Sequence, residues 1–433
     1  MAKGSSFVCQ SCGFESPKWL GKCPSCESWA SFVESTKPGL RETSPKRAKP
    51  VKHLKDIRSS QVKRVSTGIS EMDRVLGGGF VPGQVVLLAG EPGVGKSTLL
   101  LQLASSISSF YILGEESLGQ VATRVARMGV HAEGIAFLEE TNIEVILSTL
   151  LHETKKNDYK TVVLDSVQTM YAENLSGVPG SIGQVKETAF RVLAFAKKNN
   201  IAAVLVGHVT KDGTVAGPST LAHMVDTVLW LEGDKLSSLR VLRSVKNRFG
   251  PTDEVGIFQM KEKGMVSTSD TANLFLSPDS KSTIAGSVIS CVMEGTRPIL
   301  VEIQALVVPT KLAIPRRVVQ GLDSKRVELI IAVLTRHCGL HLSERDVFVN
   351  VIGGIKLKDP GVDLAVAFAI ASSYMNKPIK RGTVVVGEVG LLGEIRESSF
   401  EGKRVERARR QGLGSRVDSK AFKLLPKAIK ILN

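Results

Sequence analysis

Residues 90–98 read Gly90-Glu91-Pro92-Gly93-Val94-Gly95-Lys96-Ser97-Thr98, between the apolar run Val85-Val86-Leu87-Leu88-Ala89 and the stretch Leu99-Leu100-Leu101-Gln102-Leu103-Ala104. Glycines at this spacing let backbone N–H groups point inward at a triphosphate. Lys96 reaches the β and γ oxygens, the Ser97 hydroxyl suits Mg²⁺, and the helix start adds partial positive charge. A purely structural glycine turn would not need a strand on one side and a helix on the other. The whole segment Gly90, Glu91, Pro92, Gly93, Val94, Gly95, Lys96, Ser97 and Thr98 is therefore expected to bind nucleotide, with ATP and Mg²⁺ as cofactors.

A second chemistry lies at the N-terminus, where four of the six cysteines are spaced as Cys9-x2-Cys12 and Cys23-x2-Cys26. Each pair suits half of a tetrahedral thiolate site, and the intervening residues let both halves meet around one Zn²⁺. Disulfides are disfavoured in a reducing compartment, and a redox CxxC would need a βαβ setting that so short a segment cannot supply. Metal binding would supply the folding energy here, and Trp19, Trp29 and Phe32 are expected to pack on the knuckle. Cys291 and Cys338 stand alone in apolar surroundings and read as core.

Carboxylates follow the apolar runs downstream. Thr161-Val162-Val163-Leu164-Asp165-Ser166 is an apolar strand ending in Asp165, a position from which it can hold Mg²⁺ through water. Tyr111-Ile112-Leu113-Gly114-Glu115-Glu116-Ser117 places two carboxylates where strand ends of an open α/β sheet converge on a ligand. Glu115, nearer the strand, is the first choice to polarise an attacking water. The alternative is acidic residues offsetting a helix dipole. His208, closing Ala202-Ala203-Val204-Leu205-Val206-Gly207, is placed to sense a γ-phosphate or to serve as a structural histidine.

These groups need a frame. Strands expected at 85–89, 110–113, 162–165, 202–206, 227–231 and 239–243 alternate with helical stretches such as 97–107, 143–156 and 184–198. That order implies an α/β fold with a parallel-type sheet and helices on both faces. The chain of 433 residues has room for about three domains. No apolar run approaches the ~20 residues of a membrane span, and no signal peptide opens the chain, so a cytoplasmic location with no membrane partner is expected. The net charge of +15 favours a polyanionic partner such as nucleic acid. Between Thr36 and Val65 basic residues outnumber acids ten to two, which suits either a solvated tether or a segment that skims phosphates.

Thr67-Gly68-Ile69, Asp73-Arg74-Val75-Leu76-Gly77-Gly78-Gly79, the phosphate loop, the Gly-Glu-Glu-Ser strand end and Gly207-His208-Val209-Thr210-Lys211-Asp212-Gly213 with Ala216-Gly217-Pro218 together resemble the bacterial RadA (Sms) family of recombination proteins. Lys246-Asn247-Arg248-Phe249-Gly250 is similar to that family's pentapeptide, and the last third resembles a Lon-protease-like domain. The resemblance implies a four-cysteine zinc finger at 1–33, a basic linker at 34–60, a RecA-like ATPase domain at 61–272 and a proteolytically inactive Lon-like domain at 273–433. It further implies a DNA-dependent ATPase that binds single-stranded and branched DNA, acts with a RecA-type recombinase, and forms a homo-oligomeric ring, a hexamer, that drives branch migration. In such a ring Lys246 and Arg248 of one subunit would reach a neighbour's transition state, as arginine fingers do. Residues 171–183 and 208–218 would be channel loops, Lys211 touching phosphate, or mobile active-site loops.

The rival activity is proteolysis, which in a Ser–Lys mechanism needs a nucleophilic serine. Lys356-Leu357-Lys358-Asp359-Pro360-Gly361-Val362-Asp363-Leu364-Ala365, where the Lon family carries its serine, has none. Lys403 lies near the expected lysine without a partner, and Ser372 and Ser373 read as a helix end. Basic residues also outnumber acids ten to two from Lys403 to Lys430, with Lys311, Arg316 and Arg317 as a smaller group. These suit a solvated face or a phosphate track. A clock-type RecA relative that acts on proteins is a third reading, which the basic balance and the zinc module disfavour.

Overall fold

The computed structural model describes residues 6–9, 13–35, 63–208, 221–233, 238–268, 276, 284–353 and 356–432. Cys12, Lys211, the rest of the 209–218 loop and most of the basic linker lie outside the described residues. Two compact units emerge: Met1–Gly233 with Arg240–Ser267, and Thr268–Asn433 with Asp234–Leu239.

The first unit opens with three short antiparallel strands, β1 (Ser6–Cys9), β2 (Glu15–Ser16) and β3 (Phe32–Ser35), ordered β2-β1-β3. The larger part holds α1 (Ser70–Leu76), β4 (Val85–Gly90), α2 (Lys96–Ser106), β5 (Ser109–Leu113), α3 (Leu118–Met128), β6 (Ile135–Glu139), α4 (Ile143–Glu153), β7 (Thr161–Asp165), α5 (Ile182–Asn199), β8 (Ala202–His208), β9 (Thr227–Glu232), β10 (Leu239–Asn247), β11 (Val255–Lys261) and β12 (Gly264–Ser267). Nine strands form one sheet in the order β12-β11-β10-β9-β4-β8-β7-β5-β6.

β4 lies near its middle and is buried along its whole length, as a continuous apolar run requires when helices cover both faces. Side-chain alternation splits the core in two. Val85 and Leu87 pack with Ile146 and Leu150 of α4 and Val185 and Ala189 of α5. Val86 and Leu88 pack on the opposite face with Met72 of α1 and Leu99 and Leu103 of α2. Burying each such side chain is worth about 1.5–3 kcal/mol, so β4 is clamped in register from both sides.

Pairing is parallel from β6 through β5, β7, β8 and β4 to β9. It turns antiparallel at β9–β10 and within the β11–β12 hairpin. The expected strand at 239–243 exists and runs longer. Its direction follows from chain length, since the few residues between β9 and β10 cannot make the crossover of a dozen or more that a parallel neighbour needs. β6, β11 and β12 were not among the expected strands. β6 is only partly buried and lies at the sheet edge, so it lacks the unbroken apolar run by which its neighbours are read.

The second unit is a six-stranded sheet of β13 (Ser287–Glu294), β14 (Arg297–Pro309), β15 (Arg317–Gln320), β16 (Arg345–Val351), β17 (Thr383–Val385) and β20 (Ser415–Val417), ordered β15-β16-β14-β13-β17-β20. A separate pair, β18 (Glu388–Val389) and β19 (Ile395–Arg396), accompanies it. Helices α6 (Ser324–Cys338), α7 (Asp363–Met375), α8 (Glu401–Arg410) and α9 (Leu425–Ile429) complete this unit. α7 is buried from Asp363 to Ser372, which explains an apolar sequence without an amphipathic stripe.

Candidate functional site

The phosphate loop leaves the C-terminal end of β4 and enters α2. A Cβ at Gly90 would come within 2.5 Å of the Leu231 carbonyl oxygen, so only glycine lets the loop start this close to β9. The α2 N-terminus carries no side-chain cap, which leaves its backbone N–H groups to an anion. Lys96 is buried, with Nζ donating to the carbonyls of Gly90 (2.9 Å) and Glu91 (3.1 Å). Burial pulls the lysine pKa down, against the opposing charges of Asp165 and then Glu115. Neutral carbonyls are weak partners for an ammonium, and charged phosphate oxygens would replace them favourably.

Adjacent strand ends bring the carboxylates to the same place. Tyr111 of β5 donates its hydroxyl to Asp165 Oδ2 at 2.7 Å, and burial, then the Asp165 charge, push the phenol well above its usual range. Tyr111 thus stays protonated and keeps Asp165 oriented as an acceptor. Ser166 donates to Glu115 Oε1, and Arg124 of α3 reaches Glu116 Oε1 at 2.5 Å. Ser117 and Gln120 form the capping box of α3. The helix start is therefore satisfied without either glutamate, which weakens the dipole-offsetting alternative. Ser97, Glu115 and Asp165 line a crevice of about 20 Å³, room for one ion or water. This oxygen-donor set fits Mg²⁺. The backbone of His208 pairs with Gly90 beside the loop. The sequence reading missed Tyr111, Ser166 and Arg124, of which only the tyrosine in an apolar strand carries a signal.

Lys246 and Arg248 lie elsewhere. Asn247 pairs with Thr227, Thr227 pairs with Val86, and the Arg248 N–H bonds the Asp226 carbonyl, while the Asp226 N–H bonds that of Val85. The pentapeptide thus sits at the N-terminal edge of β4, about 16 Å along the strand from its own phosphate loop at ~3.3 Å per residue. Lys246 Nζ donates to the carbonyls of Ala222 (2.7 Å) and Val225 (2.8 Å), and burial, then the Arg248 charge, lower its pKa. The expectation that both cations project toward a neighbour thus needs correction, since Lys246 is committed to its own backbone. Arg248 is about half exposed, 3.4 Å from Asp226 Oδ1. Arg64 donates to the carbonyls of Leu76, Gly79 and Phe249. The Asp73–Gly79 motif and the pentapeptide are thereby one packed element.

The 171–183 loop is organised by the buried Gln184, whose side chain accepts from Ala172 N (2.7 Å) and donates to the carbonyls of Ala172 (3.2 Å) and Leu175 (2.7 Å). It carries no lysine or arginine, so contact with phosphate there would fall to backbone N–H groups and to neutral donors such as Asn174, Ser176 and Ser181.

At the N-terminus the ligand atoms of Cys9, Cys23 and Cys26 lie within 4.8 Å of one another, with Cys9 and Cys26 sulfurs 3.6 Å apart. Tetrahedral thiolates at ~2.3 Å from zinc sit about 3.8 Å apart, so the set fits Zn²⁺. The knuckles repeat one turn: Gly13 N bonds Cys9 O as Glu27 N bonds Cys23 O, each at a positive φ. Phe32 is buried in this cluster as expected. Trp29 is 76% exposed, correcting the expectation that it packs on the knuckle, and Trp19 is held by its indole N–H on the Phe32 carbonyl (3.2 Å) with its ring largely in solvent. Among the described residues, three small antiparallel strands offer no second layer for an indole to enter.

In the second unit Ser372 Oγ accepts from Gly286 N (2.9 Å) and donates to Lys377 O (2.5 Å), and Ser373 Oγ accepts from Val307 N (2.9 Å). Lys403 Nζ lies over the Phe400 ring, 5.1 Å from its centre. Arg404 is fully buried, pairing both ends of Asp359 at 2.6 and 3.0 Å and donating to the carbonyls of Cys291 and Ser399.

Residues 65–267 match the KaiC ATPase family and residues 7–34 the rubredoxin metal-binding domain family. The DNA repair protein RadA of Streptococcus pyogenes serotype M6 is 44% identical over 419 residues, covering 95% of this chain and 91% of the relative. DNA repair protein RadA of Bacillus subtilis is 44% identical over 428 residues, covering 95% and 92%. The crystal structure of a KaiC-like protein from Pyrococcus horikoshii is 20% identical, covering 48% of this chain and 99% of that one with a TM-score of 0.41. Fold and site define a RecA-like ATPase bearing an N-terminal zinc ribbon and an α/β C-terminal region. The chain belongs to the RadA family of DNA repair proteins. Among the described residues no helix is long and apolar enough to cross a membrane.

Proposed function

We propose that this chain is a DNA-dependent ATPase whose homo-oligomeric ring, a hexamer, binds single-stranded and branched DNA and drives branch migration beside a RecA-type recombinase in the cytoplasm. The observation that carries the ring reading is the position of Arg248 at the sheet edge opposite the phosphate loop. It cannot serve its own nucleotide, yet it is exposed, and among the described residues its side chain pairs with Asp226. Within a subunit, Lys96 and the α2 N-terminus would hold the phosphates of ATP, Ser97 and Asp165 would hold Mg²⁺, and Glu115 would orient the attacking water. Magnesium supplies charge neutralisation on the phosphates. Arg248 of the neighbour would stabilise the transition state, a role worth about 10³–10⁵ in other NTPases, and Lys246 would position the turn that presents it.

The ribbon would bind Zn²⁺ through Cys9, Cys23 and Cys26 with Cys12 as fourth ligand, and 1–33, 61–272 and 273–433 would act as successive domains. No peptidase activity is proposed for the last. Its serine-free 356–365 stretch and the backbone-bonded Ser372 and Ser373 support that reading, as the +15 charge supports phosphate binding.

The test is complementation in mixed rings. Arg248→Ala and Lys96→Ala should each abolish hydrolysis without preventing assembly. Mixed together they should recover a fraction of it, because some interfaces then join an intact loop to an intact arginine. Mixed rings that form and remain inactive would remove the trans role of Arg248.

A further inference from the structure

We infer that Arg240 is a positioning residue of the phosphate-binding loop. Arg240 is a cation at the second position of β10, yet only 7% exposed. Its neighbour Val241 pairs with Glu232 at the end of β9, and Leu231 of β9 pairs with Gly90, where the loop begins. The side chain therefore reaches past the end of β9, and Nε donates to the Val94 carbonyl at 2.9 Å. A guanidinium is kept out of water only where its hydrogen bonds are met, and bonds from a charged donor are the strong ones.

The consequence follows from peptide geometry. C=O and N–H of one trans peptide point in opposite directions. Anchoring the Val94 carbonyl on Arg240 turns the Gly95 N–H the other way, to the side of that peptide away from Arg240. A second contact fixes the same peptide. Gly95 has φ +111°, and a Cβ there would come 2.3 Å from Met265 Cε and 2.6 Å from Met260 Cε. The antiparallel strands β10, β11 and β12 thus brace the loop, aligning one N–H donor for a polyphosphate before it arrives. Preorganisation of this kind raises affinity without adding a contact.

This inference rests on the nucleotide-binding reading, and the experiment separates the two. Full-length wild type, Arg240→Gln and Arg240→Lys would be titrated with a fluorescent ATP analogue and with ADP, alongside steady-state hydrolysis and thermal melting. Arg240→Gln should raise Kd and KM about tenfold with kcat at saturation changed less than about threefold, the pattern of lost ground-state binding. Arg240→Lys, which keeps a charged donor, should recover most of the affinity. Wild-type affinity in Arg240→Gln would overturn the inference while leaving the nucleotide reading standing, and so would a Kd loss that Arg240→Lys does not recover. Failure of the wild type to bind ATP would overturn both. Should Arg240→Gln not fold, Arg240→Met, which keeps the apolar stem and removes the donor, takes its place with amide exchange of residues 93–96 as the readout: exchange faster than in wild type supports the brace, and equal exchange overturns it.

Discussion

Lys96 and Arg404 are both buried cations, one in each unit, and their surroundings differ in kind. Lys96 rests on two neutral carbonyls at the mouth of a crevice lined by Asp165 and Glu115. Arg404 is closed off by a two-point carboxylate pair and two carbonyls, with no exposure at all. A cation held by weak, replaceable partners is available for chemistry. One whose donors are saturated by a fixed counter-ion holds structure, and removing either partner leaves an uncompensated buried charge. Burial alone therefore does not mark a functional site. What an incoming ligand could displace does.

Substitution separates the two most sharply at Lys96. Lys96→Ala should lower ATP hydrolysis by at least about 10²–10³, the usual cost of losing one preorganised electrostatic group. Its thermal melting should stay close to wild type, and near-normal turnover would break the comparison from its functional side. Arg404→Ala should do the reverse, costing about 3–5 kcal/mol in denaturant unfolding of the second unit. Pairing an apolar Arg404→Met with Asp359→Leu should restore part of that loss, because neither charge is then stranded. An Arg404→Ala protein that unfolds like wild type would show the pair to be incidental.

The smallest expected effect sharpens the site itself. Tyr111→Phe removes one O–H donor to Asp165 without changing packed shape, so hydrolysis should fall about five- to tenfold, the scale of one typical net hydrogen bond. Its half-saturating Mg²⁺ concentration should rise. Unchanged magnesium dependence would mean that Asp165 needs no orienting partner.

Much of this was legible in the sequence where chemistry is contiguous. The phosphate loop, its flanking strand and helix, and the cysteine pairs are short patterns in which neighbours in sequence are neighbours in space. Asp165 closes β7 and Glu115 follows the end of β5, positions legible in the sequence because apolar runs of β propensity announce the strands that carry them. Trp29 was misread, since an aromatic near a knuckle looks like core, whereas the described residues leave its ring in solvent. The committed ammonium of Lys246 was equally hidden. Its partners Ala222 and Val225 belong to the turn before β9, and β10 meets them only when the antiparallel register is set.

The amino-acid sequence by itself determined that this chain can cradle a polyphosphate and gather thiolates around a metal, because backbone conformation and residue type within a few positions suffice for both. Tertiary structure alone decided which buried cation stays displaceable, that Arg248 faces away from its own loop, and that Tyr111 meets Asp165 and Arg240 meets Val94. Those pairs are separated by tens to more than a hundred residues. Their meeting depends on strand order and register, which are set by the burial of two apolar faces across the whole sheet and by no local signal.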